Sequence, residues 1–392
     1  VSKNESIYCN INNNITCGIY SNMFYNCFYC VPVYNYKSYC KRYPLLKETI
    51  VVVTYRDALL QVMNDSLERP NTIIIGQGVS DPKGIFGTTL GLADKYGYDR
   101  VIDVPLSEEC ITGVCIGAAL NGIYPINTHI RADFALVTFN QIVNLAAKYR
   151  DTYHGNFELP MMIRMVVGRS WGQGAQHSQS PQALFAHIPG LTVFMPSNAQ
   201  AVLDWYTWAL DYRDPVIFIE HRLLYDIRFE VNKQRTSKTI LMREGRDVTI
   251  VATSIMVLET IRAAKYLEQF GIHCEVIDLN CISHPDWECI ISSVEKTGRL
   301  LIADTSWRPF GVSAEVARVI GETDPGILKA PIKSVGMQFV TCPTAKVLED
   351  VFYPSQHTLI DDIATLVMGR HSIPLPTESS MSDTYKKFKG PF

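Results

Sequence analysis

The sequence predicts an α/β protein of two domains, each built on a mostly parallel sheet with helices on its faces. From Val51 onward, short runs rich in β-branched residues alternate with segments of helical period, the pattern that strand–helix–strand units leave in a chain. A polar stretch at 226–240, with charges of both signs and no apolar period, interrupts the rhythm before it restarts. Length agrees, because 392 residues, 47% hydrophobic and 19% charged, exceed what one ordinary core organises.

The first segment, 1–47, stands outside this rhythm: it is rich in Asn, Tyr and Cys and predicts a poorly structured extension. No apolar run follows a basic start there, so it makes a poor signal or transit peptide. Cys27 and Cys30 have the spacing of half a zinc site, but no second Cys or His pair stands at finger distance. The first domain, 48–225, begins with a helix at 55–67 and a strand at 72–76. Strands follow at 100–105, 124–130, 160–168, 191–196 and 215–221, separated by helices at 111–121, 134–150, 181–187 and 198–211. Beyond the 226–240 linker, the second domain, 241–371, carries buried strands at 247–253, 274–280 and 299–304 and helices near 256–270, 287–296 and 313–322. A polar tail, 372–392, closes the chain.

Several function classes drop out. A formal net charge of −3 gives no basic field for nucleic acid. The longest uncharged stretch, 110–130, contains Asn121, Pro125, Asn127 and His129 and changes period midway, so no membrane span is expected. Six of the eleven cysteines are scattered through apolar segments without ligand spacing, which fits a reduced intracellular compartment. No P-loop or dinucleotide fingerprint follows a strand. The letters of a serine-hydrolase elbow occur at Gly168-Arg169-Ser170-Trp171-Gly172, but inside a long glycine loop instead of a sharp strand-to-helix turn.

Three constellations remain. Asp103-Val104-Pro105-Leu106-Ser107-Glu108-Glu109 places two carboxylates where a strand ends and a helix begins, the edge at which open α/β sheets collect ligands. The same residues would equally complement the helix dipole. In the helix that follows, Gly113 and Gly117 are four apart and permit close backbone approach, for which tight packing is a sufficient reason. Gly168 to Pro181 is a loop whose three glycines permit positive φ, ending in His177, with Ser180 as N-cap and Pro181 at the first helical position. A loop imidazole of this kind is free to enter a cleft, although an isolated His is more often structural.

At these residues the chain resembles the beta subunit of the first, decarboxylating component of the 2-oxoacid dehydrogenase complexes, the family of pyruvate, branched-chain 2-oxoacid and acetoin dehydrogenases. The resemblance runs from about residue 54 to 368. It is carried by Arg100-Val-Ile-Asp-Val-Pro-Leu-Ser-Glu108, Ala132-Asp-Phe134 with Gln141-Ile-Val-Asn144, Gly172-Gln-Gly-Ala-Gln-His177-Ser-Gln, Phe185-Ala-His187-Ile-Pro-Gly190 and Asp214-Pro-Val-Ile-Phe-Ile-Glu220-His. It implies a transketolase-like fold and a thiamine diphosphate cofactor. Glu108 would hydrogen-bond the pyrimidine ring nitrogen, Phe134 would pack on that ring with Gln77 nearby, and His177 would handle proton transfer or acyl transfer over the thiazolium. The family's diphosphate and magnesium motif, Gly-Asp-Gly with a distant Asn, is nowhere in the sequence. The resemblance puts it on an alpha-type subunit, implying an α2β2 heterotetramer, a lipoyl acyltransferase as further partner and a 2-oxoacid substrate. A potassium site of backbone carbonyls, found in some members, falls on Met161, Ala209, Leu210, Tyr212 and Asp214. The expected location is the cytoplasm, or the mitochondrial matrix or a plastid in a eukaryote.

Two departures stand out. Members commonly carry an acidic residue directly after the glycine that is Gly76, where this chain has Gln77-Gly78, so one carboxylate near Glu108 is lost. Ala303-Asp304-Thr305-Ser306-Trp307 replaces a His-Glu pair, which puts docking to a standard acyltransferase core in question. Two other readings keep the fold: a split transketolase-like carboligation or ketol-transfer enzyme, and a non-catalytic scaffold subunit.

Overall fold

The structure is a computed structural model that describes residues 51–169, 172–232, 236–370 and 373–377. The expected extension 1–47, its Cys27 and Cys30, the residues Ser170 and Trp171, and most of the tail lie outside the described residues. In chain order the strands are β1 (Val51–Thr54), β2 (Thr72–Gly76), β3 (Val101–Asp103), β4 (Tyr124–His129), β5 (Met162–Val167), β6 (Thr192–Phe194), β7 (Val216–His221), β8 (Arg228–Val231), β9 (Thr239–Arg243), β10 (Val248–Ala252), β11 (Cys274–Leu279), β12 (Leu300–Trp307) and β13 (Lys333–Met337).

Six strands form an all-parallel sheet in the order β3-β2-β4-β5-β7-β6. Five more form a second sheet, β13-β12-β10-β11-β9, parallel except for β9. The stretch expected as a linker corrects the sequence reading. Residues 228–231 pair antiparallel with β1, from Val51 opposite Val231 to Thr54 opposite Arg228, and β9 begins inside the same stretch. No local pattern announces such a pairing, because its partner lies at the other end of the domain.

Strand β5 shows why the first sheet must be covered on both faces. Ile163, Met165 and Val167 enter one apolar cluster, and Met162 and Val166 the other. Arg164, on the second of these faces, is fully buried and pairs with Glu220 of β7 at 2.7 Å. The two are diagonal neighbours, since Arg164 stands opposite Phe218 and Val166 opposite Glu220. Tyr206 and Tyr225 donate their hydroxyls to the same carboxylate at 2.5 and 2.7 Å. A buried charge needs this density of partners.

Both clusters draw residues from both sheets, so the two halves share their cores. Backbone bonds reinforce the junction: Met195 donates to Asn280 at 2.7 Å and Ile282 to Val193 at 3.0 Å. The continuous helix expected at 134–150 is broken into a short α-turn (Ala132–Ala135), a 3-10 turn (Leu136–Thr138), a wider π-type segment (Gln141–Ala146) and a last α-turn (Tyr149–Thr152). Widened turns of this kind concentrate at functional sites, and this one begins seven residues after Phe134.

Candidate active-site half at the sheet's switch point

Strand order reverses between β2 and β4: the chain leaves β2 toward β3 on one side and leaves β4 toward β5 on the other. In parallel sheets the crossovers diverge at such a point and leave a crevice beyond the carboxyl ends. The crevice is present. Gly76 at the end of β2 with Gln77 after it, Glu108 after β3, Asn127 to His129 at the end of β4, and Ile130 with Phe134 beyond it line a cleft of about 270 Å³, counted to its open mouth.

Glu108 opens the helix Glu108–Leu120. The two adjacent glutamates, equivalent in the sequence, separate here: Glu108 turns into the cleft, where its Oε1 accepts from Gln77 Nε2 at 3.2 Å, whereas exposed Glu109 accepts from Gln141 at 2.9 Å. Asp103, ending β3, accepts the backbone amides of Gly78 (3.0 Å) and Val104 (2.9 Å) and so ties together the two loops that present Gln77 and Glu108. His129, ending β4, also lines the cleft. It is 4% exposed, its Nε2 has no partner, and burial holds its pKa down to about 4, so the ring is neutral.

His177, in the loop after β5, contacts the cleft through Phe134. Its ring meets that of Phe134 edge to face, centroids 5.5 Å apart. The loop is pinned by partners that the sequence did not reveal. Asp133 accepts the Gln179 amide at 3.0 Å, and Glu349 accepts that of Gly172 at 3.1 Å. Burial raises the Asp133 pKa, and the Gln179 contacts oppose the rise. Gly172 and Gly174 adopt positive φ (+63° and +71°), as the loop's glycines suggested, but Gly168 does not. The expected N-cap is also corrected: Ser180 does not cap the helix Gln182–Ala186 but shares a hydrogen bond with Thr305 at 3.0 Å, across the junction between the sheets. Gln182 donates to Asp304 (2.7 Å) and Thr305 (3.1 Å). The segment 303–306 is therefore interior, with Asp304 only 2% exposed.

The remaining candidates lie elsewhere. Met161 precedes β5, while Ala209, Leu210, Tyr212 and Asp214 precede β7, which puts all five at the amino edge of the sheet, opposite the cleft. The Ala209 carbonyl accepts from Tyr124 (2.7 Å) and that of Leu210 from Arg69 (2.8 Å). A carbonyl has two lone pairs, so that of Leu210 keeps one for a cation, whereas that of Ala209 also accepts the Tyr212 amide at 3.2 Å and has both engaged.

The cleft suits a flat heteroaromatic ring with a hydrogen-bonding edge, since it offers a carboxylate, an amide, an unsatisfied imidazole nitrogen and an aromatic face. It does not suit a diphosphate by itself. None of its lining residues is Lys or Arg, and among the described residues no group of His, Cys, Asp and Glu stands ready to hold a metal. The six described cysteines outside it are free thiols, and no described helix is long and apolar enough to cross a membrane.

Comparison with known proteins agrees with the geometry. Residues 52–228 match the transketolase pyrimidine-binding domain and residues 237–359 the transketolase C-terminal domain. The chain is 35% identical over 316 residues to the pyruvate dehydrogenase E1 component subunit beta of Rickettsia conorii, covering 79% of this chain and 97% of that one. It is 38% identical over 291 residues to the acetoin:2,6-dichlorophenolindophenol oxidoreductase subunit beta of Cupriavidus necator (72% and 86% covered). It is 36% identical over 320 residues to the mitochondrial pyruvate dehydrogenase E1 subunit beta of Mus musculus (79% and 89% covered). In fold it resembles a split-gene transketolase solved as an inactive beta4 tetramer, with a TM-score of 0.63 at 22% identity, covering 81% of this chain and 98% of that one. With its two transketolase-type domains and relatives matched over most of their length, the chain belongs to the family of beta subunits of the thiamine-diphosphate-dependent 2-oxoacid dehydrogenases.

Proposed function

We propose that this chain is half of a 2-oxoacid dehydrogenase active site, catalysing oxidative decarboxylation of a pyruvate-like 2-oxoacid with acyl transfer to lipoamide once an alpha-type subunit completes it. The observation that carries the reading is the meeting of Gln77, Glu108 and Phe134 in one crevice, with His177 against Phe134, and no group there to hold a diphosphate. Thiamine diphosphate, when bound, supplies an electron sink for cleavage of the bond between the carboxylate and the keto carbon. Glu108 would hold the ring nitrogen of its pyrimidine: Gln77 occupies Oε1, so Oε2 is the oxygen left for the ring. Phe134 would pack on the ring face, and the His177 imidazole would hold and return a proton above it.

Diphosphate and magnesium would be held by the alpha-type subunit, in an α2β2 assembly that a lipoyl acyltransferase relieves of its acyl group. The helix Glu108–Leu120 offers a face for that partner. A side chain added at Gly113 or Gly117 would meet nothing within 4 Å among the described residues, so packing against them does not account for these glycines, and Val114 between them is 51% exposed. Potassium would sit on the carbonyls of Met161, Leu210, Tyr212 and Asp214 and brace the loop before β7. The location would be the cytoplasm, or the matrix or a plastid in a eukaryote, in line with the mitochondrial mouse relative.

The test is Glu108→Gln in the complex with the alpha-type subunit. It should abolish thiamine-dependent 2-oxoacid turnover with an unchanged melting temperature. Full turnover in this variant removes the central assignment.

A further inference from the structure

His129 is a buried polar side chain that the fold leaves unpaired. It ends β4 at 4% exposure, and no partner among the described residues reaches its Nε2. Leaving a buried ring nitrogen unpaired lowers stability, and a phenyl ring of similar size would avoid that loss. Asn127, two residues earlier and on the same face of the strand, shows the contrast, since it donates to Thr112 Oγ1 at 2.8 Å.

The Asn127–Thr112 bond fixes the level of His129 against the helix Glu108–Leu120. Strands β3 and β4 both run parallel to β2, so the helix that joins them returns antiparallel to β4. From Asn127 to His129 the strand advances about 6.6 Å, and from Thr112 back to Glu108 the helix covers about 6 Å in the same direction. Thr112 Oγ1 closes that turn by donating to the Glu108 carbonyl at 2.8 Å. His129 and Glu108 therefore stand at the same height in the cleft that both line. They are the two residues of its lining that titrate; the others are apolar, amides or a hydroxyl. Gln77 donates to Glu108 Oε1 at 3.2 Å, but an amide holds a carboxylate in place without supplying it with a proton. A neutral imidazole accepts at one ring nitrogen and donates from the other. Burial disfavours the charged form of this one, so it passes a proton on without storing it.

Resting on the functional reading above, we propose that His129 is a positioning residue that relays protons to Glu108. A proton taken up at one ring nitrogen is matched by one released from the other, over a bridging water, to Glu108 Oε2. The ring stays neutral, and the carboxylate becomes the acid that faces the pyrimidine nitrogen. Return of the proton by the same route restores both groups.

The test uses the full chain co-purified with its alpha-type partner. With no 2-oxoacid present, the readout is the rate at which solvent deuterium replaces the thiazolium ring proton of bound thiamine diphosphate, followed by NMR after acid quenching. His129→Phe should slow this exchange by at least about tenfold. Thiamine diphosphate affinity, by calorimetric titration, should stay within about threefold, and the melting temperature should not fall. Added imidazole should restore the exchange in His129→Ala, which leaves room for it; that variant also serves if the phenyl ring prevents assembly. An unchanged exchange rate in both variants, with exchange still abolished by Glu108→Gln, overturns the relay and leaves the functional reading standing. Slow exchange that imidazole does not restore, or weakened affinity with exchange of the bound cofactor intact, makes the ring a packing or binding group and also overturns the relay. Undiminished exchange in Glu108→Gln overturns the functional reading, and the relay with it.

Discussion

Asp278 gives the sharpest test of how the two halves are joined. It lies near the end of β11, is fully buried, and accepts hydrogen bonds at Oδ2 from Ser197 and Asn198 of the first domain, while no partner reaches Oδ1. Burial raises its pKa from 3.8 to about 7, and contacts with Ser197 and Asn280 offset only part of the rise. A carboxyl with a raised folded pKa stabilises the fold below its unfolded value, and that contribution is lost as pH climbs through the folded value. The difference is worth about 4 kcal/mol between about pH 4 and pH 8, at about 1.4 kcal/mol per pKa unit. Asp278→Asn cannot ionise and should lose this dependence. The assay is equilibrium urea unfolding of both proteins at intervals from pH 5 to pH 8. Wild type should lose about 2 to 4 kcal/mol relative to the variant as pH rises. A difference that stays constant within about 1 kcal/mol across this range would show that Asp278 titrates normally, through water reaching the junction, and would refute the argument.

Three further outcomes are expected. His177→Ala should lower kcat by at least tenfold with little change in thiamine diphosphate affinity measured by titration, and an unchanged kcat returns the ring to a structural role. Glu220→Gln leaves the buried Arg164 without its counter-charge and should cost about 3 to 5 kcal/mol in urea unfolding; a loss below about 1 kcal/mol would mean that Tyr206 and Tyr225 suffice to hold the guanidinium. Exchanging potassium for sodium should lower the melting temperature of the complex. Identical melting curves in the two salts would dismiss the carbonyl site.

Much of this protein could be read from residue order alone. The helix Tyr55–Leu67 and the strand Thr72–Gly76 lie where the sequence predicts them, because a helical apolar period and then a β-branched run are bounded by clear stops. The helix Gln356–Met368 went unread although its signals were present: Leu359, Ile360 and Ile363 are on its buried side, Ser355 caps its start and Gly369 its end. Strand β13, Lys-Ser-Val-Gly-Met, is an edge strand of low β propensity and carries almost no signal.

The sequence by itself determined the two α/β units, the placement of Glu108 and Gln77 at strand ends, and the lack of a diphosphate motif, since these depend on local period and residue type. Tertiary structure decided which of two adjacent glutamates enters the crevice, that Phe134 meets His177, and that Thr305 and Asp304 of the second domain fix the loop of the first. Ser180 reads as a helix cap until β12 is packed beside it, because a hydroxyl bonds whichever partner the fold brings within reach. Strand order, which opens the crevice between β2 and β4, follows from the crossovers and from burial of both sheet faces at once, and no stretch of sequence encodes it alone.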